Sequence, residues 1–294
     1  MEMELAYRIK RAVKELLGRP QLPRKGAARP THFEEQIYRA AVEERDVCFD
    51  VGANVGDVAI FLARIVTPRG CVVAFEPVFH VYSLLCQRIQ ADPYSKATII
   101  SLPVGLSDTV GPRIISTPNG ITGLASLAPT AVWQVVHHAT TSTQTCNFTT
   151  IDAIWADERY PKPHFIKIDV EGAELLVLRG GFEAFKRGFR PLMLIELFAP
   201  WQHAFGYGPW DVLGFLGDRG YRFFFVCPEG LVGHVPSPSD PFPAQYERGY
   251  NIIAYLPDEH ARRVERLNQL TVSAANRVLP MPPPPVANKI VPDH

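Results

Sequence analysis

Short apolar runs alternate with segments of helical spacing along most of the chain. Each run has the length of a buried strand, and each segment between runs places apolar residues three or four positions apart, as a helix packed on a core requires. We predict strands at 47–51, 71–76, 97–102, 164–169, 192–197, 221–226 and 251–255, with helices at 57–66, 79–91, 173–179 and 210–218. This order is typical of an α/β fold whose mostly parallel sheet carries helices on both faces.

Three regions depart from this alternation and define the predicted domain organisation. Residues 109–150 are rich in Pro, Gly, Ser and Thr, with β-like pieces at 113–116 and 145–148, which predicts an inserted hairpin or lid. Residues 1–46 are predicted to form a helical extension and linker, and residues 258–294 a charged helix and a Pro-rich tail. The α/β domain is therefore expected at 47–257. Its last two strands are predicted to form a terminal hairpin on the sheet.

The first predicted helix, at about 5–17, has basic residues around an apolar side. Such a segment is interpreted either as a packing helix or as a peripheral contact with an anionic membrane surface. A second helix is predicted at 33–42. No segment approaches the roughly 20 apolar residues that a membrane span needs, and no signal peptide is apparent, so we expect a cytoplasmic protein without a transmembrane segment.

Composition narrows the function further. The 294 residues include 30 Lys plus Arg and 30 Asp plus Glu, so overall charge gives no reason to expect a nucleic-acid partner. The five cysteines form no CxxC pair, and we expect reduced thiols without a disulfide or a zinc site. The sequence carries no signal for a particular oligomeric state.

The segment 47–57 predicts a cofactor loop, because a strand turns into a helix through Gly52 and Gly56. Glycines allow a backbone to approach a ligand closely. A dinucleotide fingerprint would need glycines at 52, 54 and 57, but the chain has Asn54 and Asp57. The Asp57 carboxylate would also occupy the helix N-terminus that a pyrophosphate uses. A cationic ligand without phosphate fits better, and S-adenosylmethionine is such a ligand.

Acidic residues recur where predicted strands end. Glu76, followed by Pro77, ends the second strand and could accept the ribose hydroxyls of such a cofactor. In the strand at 164–169, Lys167, Asp169 and Glu171 alternate and so project to one side. Ligands of open α/β sheets bind at the carboxyl ends of strands. Asp50 and Glu196, at two further strand ends, therefore join the predicted site.

Several motifs together resemble the FkbM-type, S-adenosylmethionine-dependent O-methyltransferases, over about 47–255. They are the DVGANVG loop at 50–56, FEP at 75–77, VGLSD at 104–108, TID at 150–152, KIDVEGAE at 167–174, and the segment from Arg190-Pro191 to Ile195-Glu196. The resemblance implies a class I methyltransferase, with a Rossmann-like seven-stranded sheet whose last strand is antiparallel. It also implies methylation of a hydroxyl on a small molecule, often a sugar, glycoside or glycolipid.

The resemblance and the strand ends together assign roles to particular residues. For the cofactor we predict Asp50, Gly52, Ala53, Asn54 and Gly56 at the methionine part, Glu76 and Pro77 at the ribose, and Ser107 and Asp108 near the adenine. For catalysis we predict Asp169 closest to the reacting methyl group, so that it also counts among the cofactor-binding residues, with Glu171 and Glu196 as supporting acids and His203 as a candidate base.

Alternatives remain open at this point. The carboxylates at adjacent strand ends could hold Mg²⁺, which prefers oxygen ligands, but no ligand set is clear, and we predict a site without metal. A noncatalytic module that binds S-adenosylmethionine as a scaffold or sensor is the alternative from another class. An oxidoreductase is disfavoured by Asn54 and Asp57.

Overall fold

A computed structural model describes residues 31–67, 69–93, 98–118, 125–128, 141–227, 230–234 and 250–272. The predicted helix at 5–17, its membrane contact and the Pro-rich tail lie outside these residues. Within them, no helix has the length and apolarity to cross a membrane.

Helices and strands occur in the predicted order. In chain order they are α1 (His32–Ala41), β1 (Val47–Val51), α2 (Asp57–Val66), β2 (Cys71–Phe75), α3 (Phe79–Ala91), β3 (Ile99–Leu102), β4 (Gly105–Leu106), β5 (Gly111–Pro118), β6 (Thr141–Thr149), α4 (Ile151–Ala156), β7 (Phe165–Ile168), α5 (Glu174–Arg179), α6 (Phe182–Lys186), β8 (Leu192–Leu197), α7 (Ala199–His203), α8 (Pro209–Gly217), β9 (Arg222–Cys227), β10 (Gly230–His234), β11 (Tyr250–Tyr255) and α9 (Ala261–Asn268).

The main sheet has the strand order β10-β9-β11-β8-β7-β1-β2-β3. Neighbouring strands from β8 to β3 are parallel, and β11 is antiparallel to both β8 and β9. The antiparallel last strand is thus confirmed. The main sheet has eight strands and not the predicted seven. The additional strand is β10, which follows β9 and pairs antiparallel with the free edge of β9.

Each central strand contributes to two apolar cores, one on each face of the sheet. Adjacent side chains of a strand point to opposite faces, and Cys48 and Phe49 of β1 accordingly belong to different clusters. The Phe49 side packs against α5, α6 and α8, and the Cys48 side against α1, α2, α3 and α9. Burial on both faces explains why these strands read as continuous apolar runs.

The inserted segment contains the predicted hairpin. Strands β5 and β6 pair antiparallel from Gly111 opposite Phe148 to Pro118 opposite Thr141, well beyond the short pieces expected from sequence. Strand β4 adds to β6, which makes a separate three-stranded sheet. Side chains of this sheet, including Ile115 and Phe148, pack against the start of α3.

Helices α1 and α9, which lie outside the predicted α/β domain, pack against each other. Arg263 donates to the Ala41 carbonyl at 2.9 Å and to the Asp46 carboxylate at 2.8 Å, and Arg266 donates to the Ala40 carbonyl at 2.9 Å. These bonds occupy carbonyls at the end of α1 that have no partner inside the helix. The domain boundaries at 46 and 258 stay a prediction, while α9 fixes the position of α1.

Replacing Arg263 with alanine is expected to lower the free energy of unfolding by about 2 kcal/mol, because it removes a charged partner from nearly buried Asp46. Urea unfolding followed by circular dichroism measures this loss. Arg262→Ala, an exposed position on the same helix, is the matched control and should change stability by less than about 0.5 kcal/mol. Equal losses of stability in the two variants would contradict the proposal that Arg263 stabilises the contact between α9 and α1.

Candidate active site

A cavity of about 360 Å³ opens at the carboxyl ends of β1, β2 and β7. Its volume lies within the range of small-molecule sites. The turn from β1 into α2 forms one wall, with Ala53, Asn54 and Gly56 in the lining, and Glu76 and Pro77 form the next. These five are predicted cofactor residues, and the fold brings them to one place.

The two loop glycines are required by the protein's own packing. Both have left-handed backbones, with φ of +83° at Gly52 and +90° at Gly56. A Cβ on Gly52 would lie 1.9 Å from the Asp169 carbonyl oxygen, and one on Gly56 would lie 2.4 Å from Leu85 Cδ1. From the sequence we expected these glycines to let a ligand approach the backbone. In the structure, the atoms nearest to a Cβ at either position belong to the end of β7 and to α3.

Glu76 fixes the loop and faces the cavity. Its carboxylate accepts the Asn54 amide at 2.9 Å and the Val78 amide at 2.8 Å. Burial raises the pKa of Glu76 to about 7, although these two amides favour the charged form. A carboxylate oxygen has two lone pairs, so Glu76 can still accept from a ligand hydroxyl.

A buried charge chain runs under the cavity floor. The Lys167 ammonium lies 2.8 Å from Asp169 Oδ2 and 3.8 Å from Asp50 Oδ1. Asp50 is fully buried and does not line the cavity, and the Ala59 backbone amide helps to stabilise its charged form. Burial raises the pKa of Asp50 to about 6, while the Lys167 charge lowers it. Burial also disfavours the ammonium form, but the charges of Asp169 and Asp50 prevail, so the pKa of Lys167 is raised.

Three carboxyl groups meet where β7 and β8 end. Oxygens of Asp169, Glu171 and Glu196 lie within 4.8 Å of one another. Burial raises the pKa of Asp169, but Lys167 and a hydrogen bond with Glu196 outweigh it, so the net pKa is lowered. Burial and the neighbouring charges raise the pKa of both Glu171 and Glu196. The side chain of Asp169 is 35% exposed and lines the cavity, so a ligand in the cavity can reach it.

The loop after β7 is fixed by a second buried network. Glu174 accepts the Gly172 amide and the Gln202 side-chain amide, both at 2.9 Å. The Tyr207 hydroxyl donates to the Gly172 carbonyl and accepts the Leu175 amide at 3.1 Å. Trp201 packs against Gly172. Tyr207 is buried, so its side chain fixes the loop.

Glu174 gives stability a pH dependence. Burial raises its pKa to about 7, so between about pH 4.5 and 7 the folded protein keeps a proton that the unfolded chain has released. Stability therefore falls as pH rises through this window. Relative to Glu174→Gln, the wild type should lose on the order of 2 kcal/mol between pH 5 and pH 8, measured by urea unfolding at each pH. Exposed Glu265→Gln is the control, and parallel pH curves for wild type and Glu174→Gln would contradict the assignment.

Some predicted site residues lie elsewhere. Ser107 and Asp108 are outside the cavity lining, which contains Gly105 and Leu106 instead. The Ser107 hydroxyl donates to the Asp108 carboxylate at 3.2 Å, and Asp108 pairs with Arg113, so internal contacts account for both side chains. His203 is exposed at the end of α7, with its ring beside Gly208, and does not line the cavity. Glu196 lies behind Asp169 and Glu171 and is also absent from the lining.

The sequence interpretation missed a whole wall of the cavity. Thr31, Glu34 and Tyr38 of the α1 region line it, although they precede the predicted domain. Thr31 and Glu34 form a capping box at the start of α1, and the spacing Thr-x-x-Glu is a sequence signal that could have located this helix end. The insert supplies the remaining apolar wall, and Ser126 Oγ donates to the Glu171 carbonyl at 2.7 Å.

In the main sheet the antiparallel strand β11 lies between β9 and the parallel strands that begin with β8. This strand order is that of a class I methyltransferase. The acid-lined cavity lies where such folds bind their ligands. Residues 50–223 match the methyltransferase FkbM domain, and the chain belongs to that family. S-adenosylmethionine is the cofactor that this membership assigns to the chain.

The chain is also similar to individual proteins. A curated hexuronic acid methyltransferase, AglP of Haloferax volcanii, is 32% identical over 155 residues, which cover 50% of this chain and 56% of that protein. The chain thus matches about half the length of this relative. A solved FkbM methyltransferase from Methylobacillus flagellatus is 14% identical, with a TM-score of 0.43, over 86% of this chain and 58% of that one. An S-adenosylmethionine-dependent O-methyltransferase from Thermotoga maritima is 12% identical, with a TM-score of 0.40, over 83% and 71%.

The residues present fit this cofactor. The buried Oδ1 of Asn54, in the cavity lining, has no hydrogen-bond partner among the described residues and suits an ammonium group. Glu76 offers an acceptor for ribose hydroxyls, and the acidic wall suits a ligand that carries a sulfonium. The cavity therefore has acceptors for the ammonium group and the ribose hydroxyls of S-adenosylmethionine, and an acidic wall for its sulfonium.

Proposed function

We propose that the protein is an S-adenosylmethionine-dependent O-methyltransferase that acts on a hydroxyl of a sugar, glycoside or glycolipid. The observation that carries the proposal is the group of three carboxyls at the ends of β7 and β8, beside the cofactor loop. Family membership supports methyl transfer, and the hexuronic acid methyltransferase relative supports a carbohydrate acceptor.

Each acid has a distinct part in this proposal. An alcohol is a weak nucleophile at neutral pH, and the bound cofactor supplies an electrophilic methyl group. Asp169, kept ionised by Lys167, accepts the proton of the acceptor hydroxyl. Such a base contributes about 10²- to 10⁴-fold in rate. Glu196 shares a hydrogen bond with Asp169 and so orients it, and Glu171 contacts the acceptor from the cavity wall.

The direct test is transfer of a labelled methyl group from S-adenosylmethionine to a panel of sugars, glycosides and glycolipids, with the product located by mass spectrometry and NMR. A methyl ether on the acceptor supports the proposal. Label on a carboxylate, as a methyl ester, or on an amine would refute methylation of a hydroxyl, and cofactor binding without transfer to any acceptor would favour a noncatalytic binding module. Adding a chelator to the same assay tests the prediction of a site without metal.

Glu76→Gln is expected to weaken S-adenosylhomocysteine binding about tenfold, because a neutral amide replaces the charged acceptor of the ribose hydroxyls and meets two backbone amides with only one oxygen. Isothermal titration calorimetry gives the Kd, and single-turnover assays at saturating cofactor should show a smaller change in rate. Glu158→Gln, at an exposed position, is the control. An unchanged Kd would argue against the ribose role.

A further inference from the structure

The described wall of the cavity carries far more acidic than basic side chains. The charged lining residues are the acids Glu34, Asp57, Glu76, Asp169 and Glu171 and the base Lys167. Asp57 pairs with Arg88, which leaves four acids facing one ammonium group. Glu196 adds a further carboxyl directly behind the lining.

Lys167, the one cation in the described part of the lining, is committed to the protein's own carboxylates. It lies 2.8 Å from Asp169 and 3.8 Å from Asp50. Asp50 is fully buried, and among the described residues Lys167 is the one cation that forms an ion pair with it. If Lys167 turned toward a ligand anion, it would leave Asp50 as an uncompensated buried charge, which is strongly unfavourable.

The stretch of the insert between β5 and β6 carries no permanent positive charge. Residues 119–140 contain neither lysine nor arginine, and their titratable side chains are those of His137 and His138. Histidine is mostly neutral at pH 8 because its usual pKa is about 6.5. Residues 119–140 therefore contain no lysine or arginine that could pair with an acidic ligand.

The acids at the end of β7 suit hydroxyl groups. Raised pKa values favour protonated Glu171 and Glu196, and a protonated carboxyl both donates and accepts a hydrogen bond. Sugar hydroxyls have the same double capacity. A ligand carboxylate would instead add a negative charge beside Asp169, and like charges that face each other across an interface are strongly disfavoured.

We propose that the acceptor is uncharged or carries an amino group beside the methylated hydroxyl: a neutral sugar or an amino sugar, and not a sugar acid. The inference rests on the proposed function and narrows its substrate class. It separates this protein from the hexuronic acid methyltransferase relative, whose name gives a sugar acid as its substrate.

Matched glycosides test this directly. For each of the gluco, galacto and manno rings, the octyl glycosides of the neutral sugar, the 2-amino sugar and the uronic acid are assayed at pH 8 with labelled S-adenosylmethionine. Within a ring series, kcat/KM should be at least about tenfold lower for the uronic acid than for the better of the other two. Raising the salt concentration should reduce the difference only slightly, since buried charges are poorly screened.

A charge variant adds a second readout. Glu34→Gln removes one carboxylate from the described wall and keeps the capping box of α1, in which glutamine can take the place of glutamate. It should narrow the ratio of kcat/KM between neutral and uronic acceptors by several-fold, whereas exposed Glu183→Gln should leave that ratio unchanged. Equal or faster transfer to the uronic acids by the wild type would overturn the inference and still support O-methylation of sugars. Absence of transfer to every glycoside, with S-adenosylhomocysteine binding intact, would count against the proposed function, and the inference would fall with it.

Discussion

Asp169→Asn is expected to lower kcat by about 10²- to 10³-fold while changing the Kd of S-adenosylhomocysteine by less than about threefold. The substitution keeps the size of the side chain but removes the negative charge that Lys167 maintains and that the acceptor proton needs. Stopped assays with labelled cofactor and the best glycoside measure kcat, and calorimetry measures the Kd.

An exposed aspartate provides the control variant for this experiment. Asp218→Asn changes an exposed position at the end of α8 and should leave both kcat and Kd unaltered. Lys167 keeps Asp50 as a partner in Asp169→Asn, so the variant should fold, which its melting temperature will establish. A kcat within about threefold of the wild type would remove Asp169 from the proposed role of base.

Gly52→Ala is expected to have the largest effect on the folded state. Alanine at φ +83° is strained by itself, and its Cβ would lie 1.9 Å from the Asp169 carbonyl oxygen, a backbone atom that can retreat only if β7 shifts. We expect a loss of more than about 3 kcal/mol in the free energy of unfolding, together with loss of cofactor binding.

Gly206→Ala isolates the backbone part of this effect. Gly206 has φ +79°, almost that of Gly52, but a Cβ there would meet nothing within 4 Å. The Gly206→Ala variant should therefore lose only about 1 kcal/mol in the free energy of unfolding, which is the cost of an alanine with a left-handed backbone. Urea unfolding of both variants gives the difference, which measures the contact between the loop and the end of β7. Similar losses in both would mean that β7 moves easily.

Prediction from sequence succeeded where structure depends on neighbours along the chain. The order of helices and strands from β1 to β11 follows from apolar spacing and turn residues, which are local properties. It missed β10, a short edge strand whose pairing depends on a free partner edge. The placement of Ser107 and Asp108 near the adenine stays a prediction: their motif lies beside the cavity, while their side chains bond internally.

The sequence by itself determined the class of fold, the cofactor loop and the presence of acids at strand ends, because each is written in a short stretch of residues. Only the tertiary structure decided that Asp50 lies beneath the cavity and pairs with Lys167, that Asp169, Glu171 and Glu196 meet, and that α1 and the insert complete the walls. These arrangements depend on how distant segments pack around the sheet, and that packing sets the distances and burial on which charge and chemistry depend.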